Sequence, residues 1–499
     1  MAALPLISTG ISRTLYPYNC ASAYEGHSLA PAELIISGQN PYSSTRPVEP
    51  PYVVAVYGPL YYAVLGVGMA LFGSQLWFGR VVMLACAFLA ILLVSSITRH
   101  LGREDEGSPA IAAAFFAAQF PLQAWIGVQR PDVLALALSL ASLWMVLKLR
   151  EQEDLVVWRL GAAVVLAAAA VLVRQTAMMA IPLGTLALAQ RRRWKEALAF
   201  SLGSVAAPAA TVGFLDAMSG GGALEQLLAA PARLPSELAV LSRHLRSLAL
   251  APATWITMGA VGLGVHRALR RSARTWSAPG LTAGNVETLL HWLTGNPAWA
   301  VAYVCSAVLV ALVTSSIPGS NVNYYLEAMA ALSITAALCL RPARSVEPAT
   351  AARRELAILA AIAIAALFTG ARLTRGEYLR WASLPYYDEI VRKIGEMTPP
   401  GSPSFSVYPE LVWSAERPYY FNAFVPYDGR DEAWAAVFRA VLSSGRLAAI
   451  VWHEPEVIRG YEHCPTSAPV PRGYYAVHLH VRSDLGTCGR RDVVGSGRE

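Results

Sequence analysis

"FGRVVMLACAFLAILLVSSIT", residues 78–98, carries one charge, Arg80, in twenty-one residues and runs straight into "RHLGRED". As helix it rises about 1.5 Å per residue, enough to cross about 30 Å of hydrocarbon. The basic residues that follow mark the end that stays cytoplasmic. Similar windows recur at 109–126, 133–149, 157–173, 176–189, 197–215, 250–265, 298–315, 322–340 and 356–373. Together they predict an α-helical polytopic membrane bundle of about 10–11 spanning helices, with 176–189 short for a full crossing.

Composition agrees: over 499 residues, 55% are hydrophobic and only 15% charged, too apolar for an ordinary soluble globule. The formal charge of +7 sits between the windows, where arginines act as topology signals and give no reason to expect nucleic acid. The connections "RHLGRED", "KLREQEDLVVWR", "RRRWK", "HRALRRSAR" and "RPARSVEPATAARR" are basic and alternate with "GVQRPD", "VRQT", 216–249 and "SIPGSNVN". The positive-inside rule puts the first set in the cytoplasm and the second outside. The opening stretch and everything after 373 then also lie outside, as expected for a multi-pass protein of the plasma (inner) membrane with an extracytoplasmic C-terminal domain.

Three regions follow: 1–77, a first extracytoplasmic loop with interfacial helices; 78–373, the bundle; and 374–499, a small α/β domain. Residues 1–11 are apolar but too short to cross and lack the charged start of a signal peptide: either a first spanning helix is missing or reduced to a stub, or the chain simply begins outside. "VYGPLYYAVLGVGMALFG", residues 56–73, approaches spanning length, yet a crossing there inverts every later loop. It reads as a re-entrant or interfacial helix, as do the helical stretches within 216–249. A cytoplasmic insert at 272–297 shows no chemistry. In the last region "SFSVYP", "LAAIVWHE" and "YYAVHLHVRSD" read as strands and "DEAWAAVFRAVLSSG" as helix.

The six cysteines fit this layout. Cys86, Cys305 and Cys339 fall in apolar windows as small hydrophobes. Cys464 and Cys488 lie where a disulfide is allowed. His453, His463, His478 and His480 are in the same outer region; His478 and His480 share a strand face, an arrangement more often structural than metal-binding. No internal repeat, Walker motif or GxGxxG is present, which speaks against an ATP-driven pump.

Polar groups beside hydrocarbon are costly to keep, so the outer ends of the windows are where chemistry is expected. Glu25, in "AYEGH", precedes the apolar stretch "LAPAELIISG" and suits a base at a helix entrance, or equally a helix cap. Arg130 and Asp132, in "GVQRPDVLAL", flank Pro131 at a helix start, where Asp132 can also act as a cap. Arg174 and Gln175 interrupt an apolar run; Arg174 either snorkels to headgroups or forks onto a phosphate. Asn323 and Glu327, in "NVNYYLEAMA", carry a carboxylate about one turn into a window, which calls for a partner or a wet cavity. Tyr57 sits at headgroup level.

With these residues assembled, the chain resembles the GT-C class of integral membrane glycosyltransferases, near the protein mannosyltransferase and lipid A aminoarabinose transferase families. The resemblance runs over "EGHSLAPAELIISGQNPY", "VYGPLYYAVLGVGMALFG", "QRPDVLALAL", "VRQTAMMAIPLGTLALAQRRRW" and "NVNYYLEAMAALSI". It implies that Glu25 is the catalytic acid of the first outer loop and that Asp132 contributes to the site. Arg130 and Arg174 hold the donor phosphate, and Tyr57, Gln175, Asn323 and Glu327 bind substrate. The chain departs from the family in lacking a visible first spanning helix and in having a single Glu25 where many relatives carry Asp or an Asp-Glu pair.

The implied reaction is direct, inverting transfer of a sugar from a polyprenyl-phosphate donor to a glycan, lipid or protein acceptor at the outer face, among membrane lipids. No cofactor is required by this reading; a Mg²⁺ or Mn²⁺ ion between Glu25 and Asp132 is left open. The rivals are a carrier or flippase for lipid-linked sugar or a solute, and a noncatalytic membrane subunit. A carrier is expected to show repeat-related broken helices with polar groups at mid-membrane, whereas here the polar groups gather at the outer ends.

Overall fold

A computed structural model describes residues 4–485 except 19–24, 48, 103–108, 151–156, 277–295, 318, 341–347, 418–431, 453–457 and 469–476. Most of the 272–297 insert, His453 and Cys488 lie outside the described residues. The helices of the first part are α1 (Leu4–Leu15), α2 (Leu29–Ile36), α3 (Pro59–Phe72), α4 (Leu76–Gly102), α5 (Pro109–Ala118), α6 (Phe120–Trp125) and α7 (Pro131–Arg150). There follow α8 (Val157–Val173), α9 (Ala180–Ala189), α10 (Trp194–Ser219), α11 (Leu238–Ala249), α12 (Pro252–Trp276), α13 (Asn296–Ser315), α14 (Leu326–Cys339) and α15 (Pro348–Ala382).

Each apolar window of the sequence falls on helix, but not each is a full crossing. Among the described residues six helical segments are long and apolar enough to cross a membrane, or seven if α11 and the start of α12, bent by 83°, form one broken span. α5, α8 and α9 are apolar but only 10, 17 and 10 residues long. The shortening has local causes. Gln119 turns extended ahead of Pro121 and separates α5 from α6, because proline offers no N–H to continue the ladder. The window at 176–189 loses its first residues to an irregular turn after α8. α3 is a fourteen-residue helix packed on α2 and α8, ending at Gly73 in a positive-φ conformation.

α1 is twelve residues long and buries Leu6, Thr9, Gly10 and Arg13 against α4, α6 and α15. At Gly127, between α6 and α7, φ is +67° and a Cβ would stand 2.8 Å from the Gly10 carbonyl oxygen. Only glycine permits that backbone approach at low cost, and it fixes the corner from which Arg130 and Asp132 emerge.

α15 runs past residue 373 to Ala382 and is followed by α16 (Leu384–Met397), α17 (Pro409–Ser414) and α18 (Glu432–Ser443). These pack on a sheet of β1 (Ser404–Ser406), β2 (Ala449–Trp452), β3 (Tyr461–Cys464) and β4 (His478–Arg482) in the order β1-β2-β4-β3, only the β1-β2 pair parallel. β3, "YEHC", lacks the apolar alternation that announces a strand and is held by pairing with β4. The domain's core takes in Tyr16, Tyr18 and Tyr52 from the first loop, so loop and C-terminal domain share one hydrophobic cluster. His463 opposes His480 across β3-β4, its ring 5.3 Å from that of His480 and 5.4 Å from that of His478. Burial and the neighbouring His463 push His478 below the usual histidine range. Cys464 is disulfide-bonded.

Gly127→Ala is expected to lose about 1–3 kcal/mol of stability through backbone strain, read as a lower thermal midpoint in detergent. Gly213→Ala, in α10 with open space around it, is expected to be neutral or to gain up to about 1 kcal/mol. Equal effects of the two would contradict this role for the corner.

Candidate active site

At one end of the bundle, chain breaks rather than helices bring the polar residues together. Pro131 opens α7, its missing N–H harmless in a first turn, and Asp132 follows within that turn. α8 stops at Val173, so Arg174 leaves the helix and points inward. On the third side Asn321 Oδ1 accepts from the Val322 N–H at 2.8 Å and caps a 3₁₀ turn, Val322–Tyr325, that leads into α14. Irregular backbone at membrane depth is tolerated where it lines a cavity.

The three breaks surround a cavity of about 450 Å³, counted with its mouth, whose polar lining includes Asp132, Arg174, Thr176, Asn323, Tyr324 and Glu327. Asp132 is buried and ion-paired with Arg174. It also accepts from Asn323 Nδ2 at 2.6 Å and from Trp125 Nε1 at 3.3 Å, with Arg130 Nε at 4.0 Å. The Arg174 guanidinium lies 4.2 Å from the Tyr324 ring centroid, a cation–π seat that holds it in place. Asn323 Oδ1 has no hydrogen-bond partner among the described residues. Deeper in, Glu327 accepts from Ser139 Oγ at 2.8 Å and from Tyr303 OH at 3.4 Å. Apolar Leu136, Met179, Val310 and Leu326 complete the wall.

Asp132, Arg174, Asn323 and Glu327 thus meet at one cavity. The other named residues sit around them. Arg130 is 5.2 Å over the Tyr57 ring, and burial raises the Tyr57 hydroxyl above its usual range. Gln175 Nε2 donates to the Val56 and Leu227 carbonyls at 3.0 and 3.1 Å and ties the first loop down instead of facing the cavity.

Glu25 does not line the cavity. It is fully buried, its carboxylate held by Arg80 Nε at 3.0 Å and Nη2 at 2.9 Å. The Gln129 backbone N–H also donates to it at 2.6 Å. The Arg80 Nη groups donate further to the carbonyls of Arg13, Tyr16 and Tyr18. Sequence reasoning gives Arg80 no role in the site, although an arginine inside the most apolar window is itself a signal that a buried partner exists. A second buried group, Arg13 with Glu377 and Arg380, caps the end of α6: Arg13 Nη1 donates to the Gln123, Ala124 and Ile126 carbonyls at 3.3, 2.6 and 3.0 Å.

The arrangement offers a carboxylate and a guanidinium on one wet surface, which suits a proton acceptor beside an anion site. It does not fit a cation shared by Glu25 and Asp132, because each carboxylate is matched to its own guanidinium, Arg80 or Arg174. Among the described residues no group of three or more His, Cys, Asp or Glu is arranged to hold a metal ion.

Residues 56–214 match the model of the family described as dolichyl-phosphate-mannose-protein mannosyltransferase. The whole fold is similar to that of ArnT from Cupriavidus metallidurans in the apo state: TM-score 0.60 at 14% identity, over 96% of this chain and 97% of that one. The same enzyme bound to undecaprenyl phosphate gives 0.58 at 14% identity, over 97% and 98%. The oligosaccharyltransferase AglB from Archaeoglobus fulgidus, in complex with an inhibitory peptide and a dolichol-phosphate, gives 0.51 at 12% identity, over 90% of this chain and 69% of that one. Among curated proteins no relative matches by sequence.

Breaking a buried pair leaves an uncompensated charge, a cost of about 3–5 kcal/mol. Arg80→Met is expected to lower the thermal midpoint more than Glu25→Gln, because Arg80 also satisfies three backbone carbonyls. Equal midpoints, or no loss in either variant, would contradict the bracing role.

Proposed function

We propose that this chain, a multi-pass membrane glycosyltransferase of the GT-C type, moves a sugar from a polyprenyl-phosphate donor to an acceptor at the outer face of the membrane, by a single inverting displacement. The observation that carries the reading is the buried Asp132–Arg174 pair at the cavity. The outer location is supported by the alternation of charge: the cavity is built from the connections poor in basic residues, and the basic ones lie at the other end of their helices.

In this mechanism the donor phosphate competes with Asp132 for Arg174, whose fork geometry suits a phosphate. Arg174, steadied by Tyr324 and with Arg130 close by, neutralises the charge left on the departing phosphate. Asp132, released from its cation, accepts the acceptor's proton as the new glycosidic bond forms and the bond from the anomeric carbon to the phosphate oxygen breaks. One attack on the opposite face inverts the centre, so one base suffices. Asn323 Oδ1 and Glu327 are acceptors for sugar or acceptor hydroxyls, and the apolar wall receives the first part of the lipid.

Glu25 enters as a positioning residue: with Arg80 it holds the corner that presents Arg130 and Asp132. This differs from the role as base that the family resemblance implies, and the two roles separate experimentally.

Transfer of labelled sugar from a polyprenyl-phosphate donor pool, in membranes at matched expression, is the test. Asp132→Asn is expected to cost about 10²–10⁴-fold in kcat and Arg174→Gln about 10²–10³-fold. Unchanged transfer in both would overturn the assignment. If Glu25 positions, Arg80→Lys reproduces the loss in Glu25→Gln; if it is the base, only Glu25→Gln is inactive.

A further inference from the structure

α11 presents three faces. Val240, His244 and Leu248 are buried against the protein. A second side exposes Leu238 and Leu245, 83% and 42% accessible. A third exposes Arg243 and Arg246, and the helix itself, "LAVLSRHLRSLA", contains no acid. The chain then bends by 83° into α12, so where α12 runs across the membrane α11 lies along its surface. Apolar side chains toward the acyl boundary and arginines toward the headgroups are the arrangement of an interfacial helix.

The surroundings extend the same chemistry. Arg372 Nη1, from α15, donates to the Leu250 carbonyl at 3.2 Å, adding a third cation at the end of α11. Trp255 Nε1 donates to the Ala249 carbonyl at 2.7 Å while its side chain stays exposed, and Tyr378 and Trp381 of α15 are exposed as well. Exposed Trp and Tyr beside arginines mark headgroup depth.

The inner face of α11 touches the segment between Thr314 and Asn323, two residues that line the cavity. His244 Nε2 is 3.2 Å from Ser320 Oγ, which donates to the Ser315 carbonyl at 2.6 Å. Just ahead of the helix, the Glu237 N–H donates to the Ser316 carbonyl at 2.7 Å. Those residues lead directly into the 3₁₀ turn that carries Asn323 and Tyr324.

We propose that α11 is a binding surface for anionic phospholipid headgroups, held by Arg243 and Arg246 with Arg372 at its end, and that its occupancy steadies the 315–325 wall of the cavity. Charge complementarity and the in-plane setting of the helix select this occupant. The effect on catalysis rests on the function proposed above; the binding surface does not.

The experiment uses the full chain in nanodiscs of phosphatidylcholine in which phosphatidylglycerol is raised stepwise from none to an equimolar share. Hydrogen exchange is followed over 238–250 and 315–325. Phosphatidylglycerol is expected to slow exchange in both segments of the wild type. In the Arg243→Gln/Arg246→Gln variant, the fraction of phosphatidylglycerol needed for half the effect rises by about fivefold per arginine. The Arg243→Lys/Arg246→Lys variant is expected to keep the response, which separates charge from misfolding. Identical exchange at every lipid composition, or an undiminished response in the Gln variant, would overturn the proposal. Protection of 238–250 without protection of 315–325 would overturn the link to the cavity. Sugar transfer measured in the same discs distinguishes this failure from failure of the glycosyltransferase reading: exchange can respond to lipid when no transfer occurs, and transfer can proceed without a lipid response.

Discussion

The cavity depends on one buried ion pair. Arg80 stands near the start of a long apolar helix, where a charge persists only with full compensation. All five of its N–H donors are engaged, two by Glu25 and three by the carbonyls of Arg13, Tyr16 and Tyr18. Those carbonyls belong to the end of α1 and the chain just after it, so one guanidinium gathers α1, the first loop and α4. The Glu25 carboxylate then reaches the Gln129 N–H, three residues before Asp132. Loss of the pair removes the support of the corner that the chemistry needs, although neither side chain lines the cavity.

The same economy of polar groups governs the rest of the site. Helices satisfy their own backbone and offer little to a ligand; the cavity forms where α7 begins, where α8 ends and where a 3₁₀ turn precedes α14. At the third break the Asn321 side chain takes over hydrogen bonding that the helix gives up, accepting from the Val322 N–H. Asp132 and Arg174 neutralise each other in a region of low polarity. In the proposed mechanism a phosphate offers Arg174 an alternative partner, so that arrival of the donor is coupled to release of the carboxylate.

Much of this is legible in the sequence because the membrane imposes strict rules. Window length and the alternation of basic loops reveal the helices, and the cost of intramembrane charge points to Asp132, Arg174 and Glu327. Helix breaks are less legible: the apolar run at 109–126 hides the turn at Gln119, and 176–189 hides the turn that presents Arg174. Pairings between distant residues are not legible. Nothing local to "AYEGH" says that Glu25 meets Arg80, fifty-five residues on, and nothing in "LVRQT" says that Gln175 donates to the Val56 and Leu227 carbonyls. β3 escapes a sequence reading because its four residues are held by pairing and carry no periodic signal of their own.

The central claim is that donor phosphate takes Arg174 from Asp132. A cryo-EM structure of the protein bound to a polyprenyl phosphate tests it most directly. The account predicts phosphate oxygens within hydrogen-bond distance of the Arg174 guanidinium, an open Asp132 carboxylate facing the acceptor side, and an unchanged Glu25–Arg80 pair. Phosphate bound elsewhere with the Asp132–Arg174 pair intact, or Glu25 released from Arg80 and turned toward the bound lipid, would contradict it.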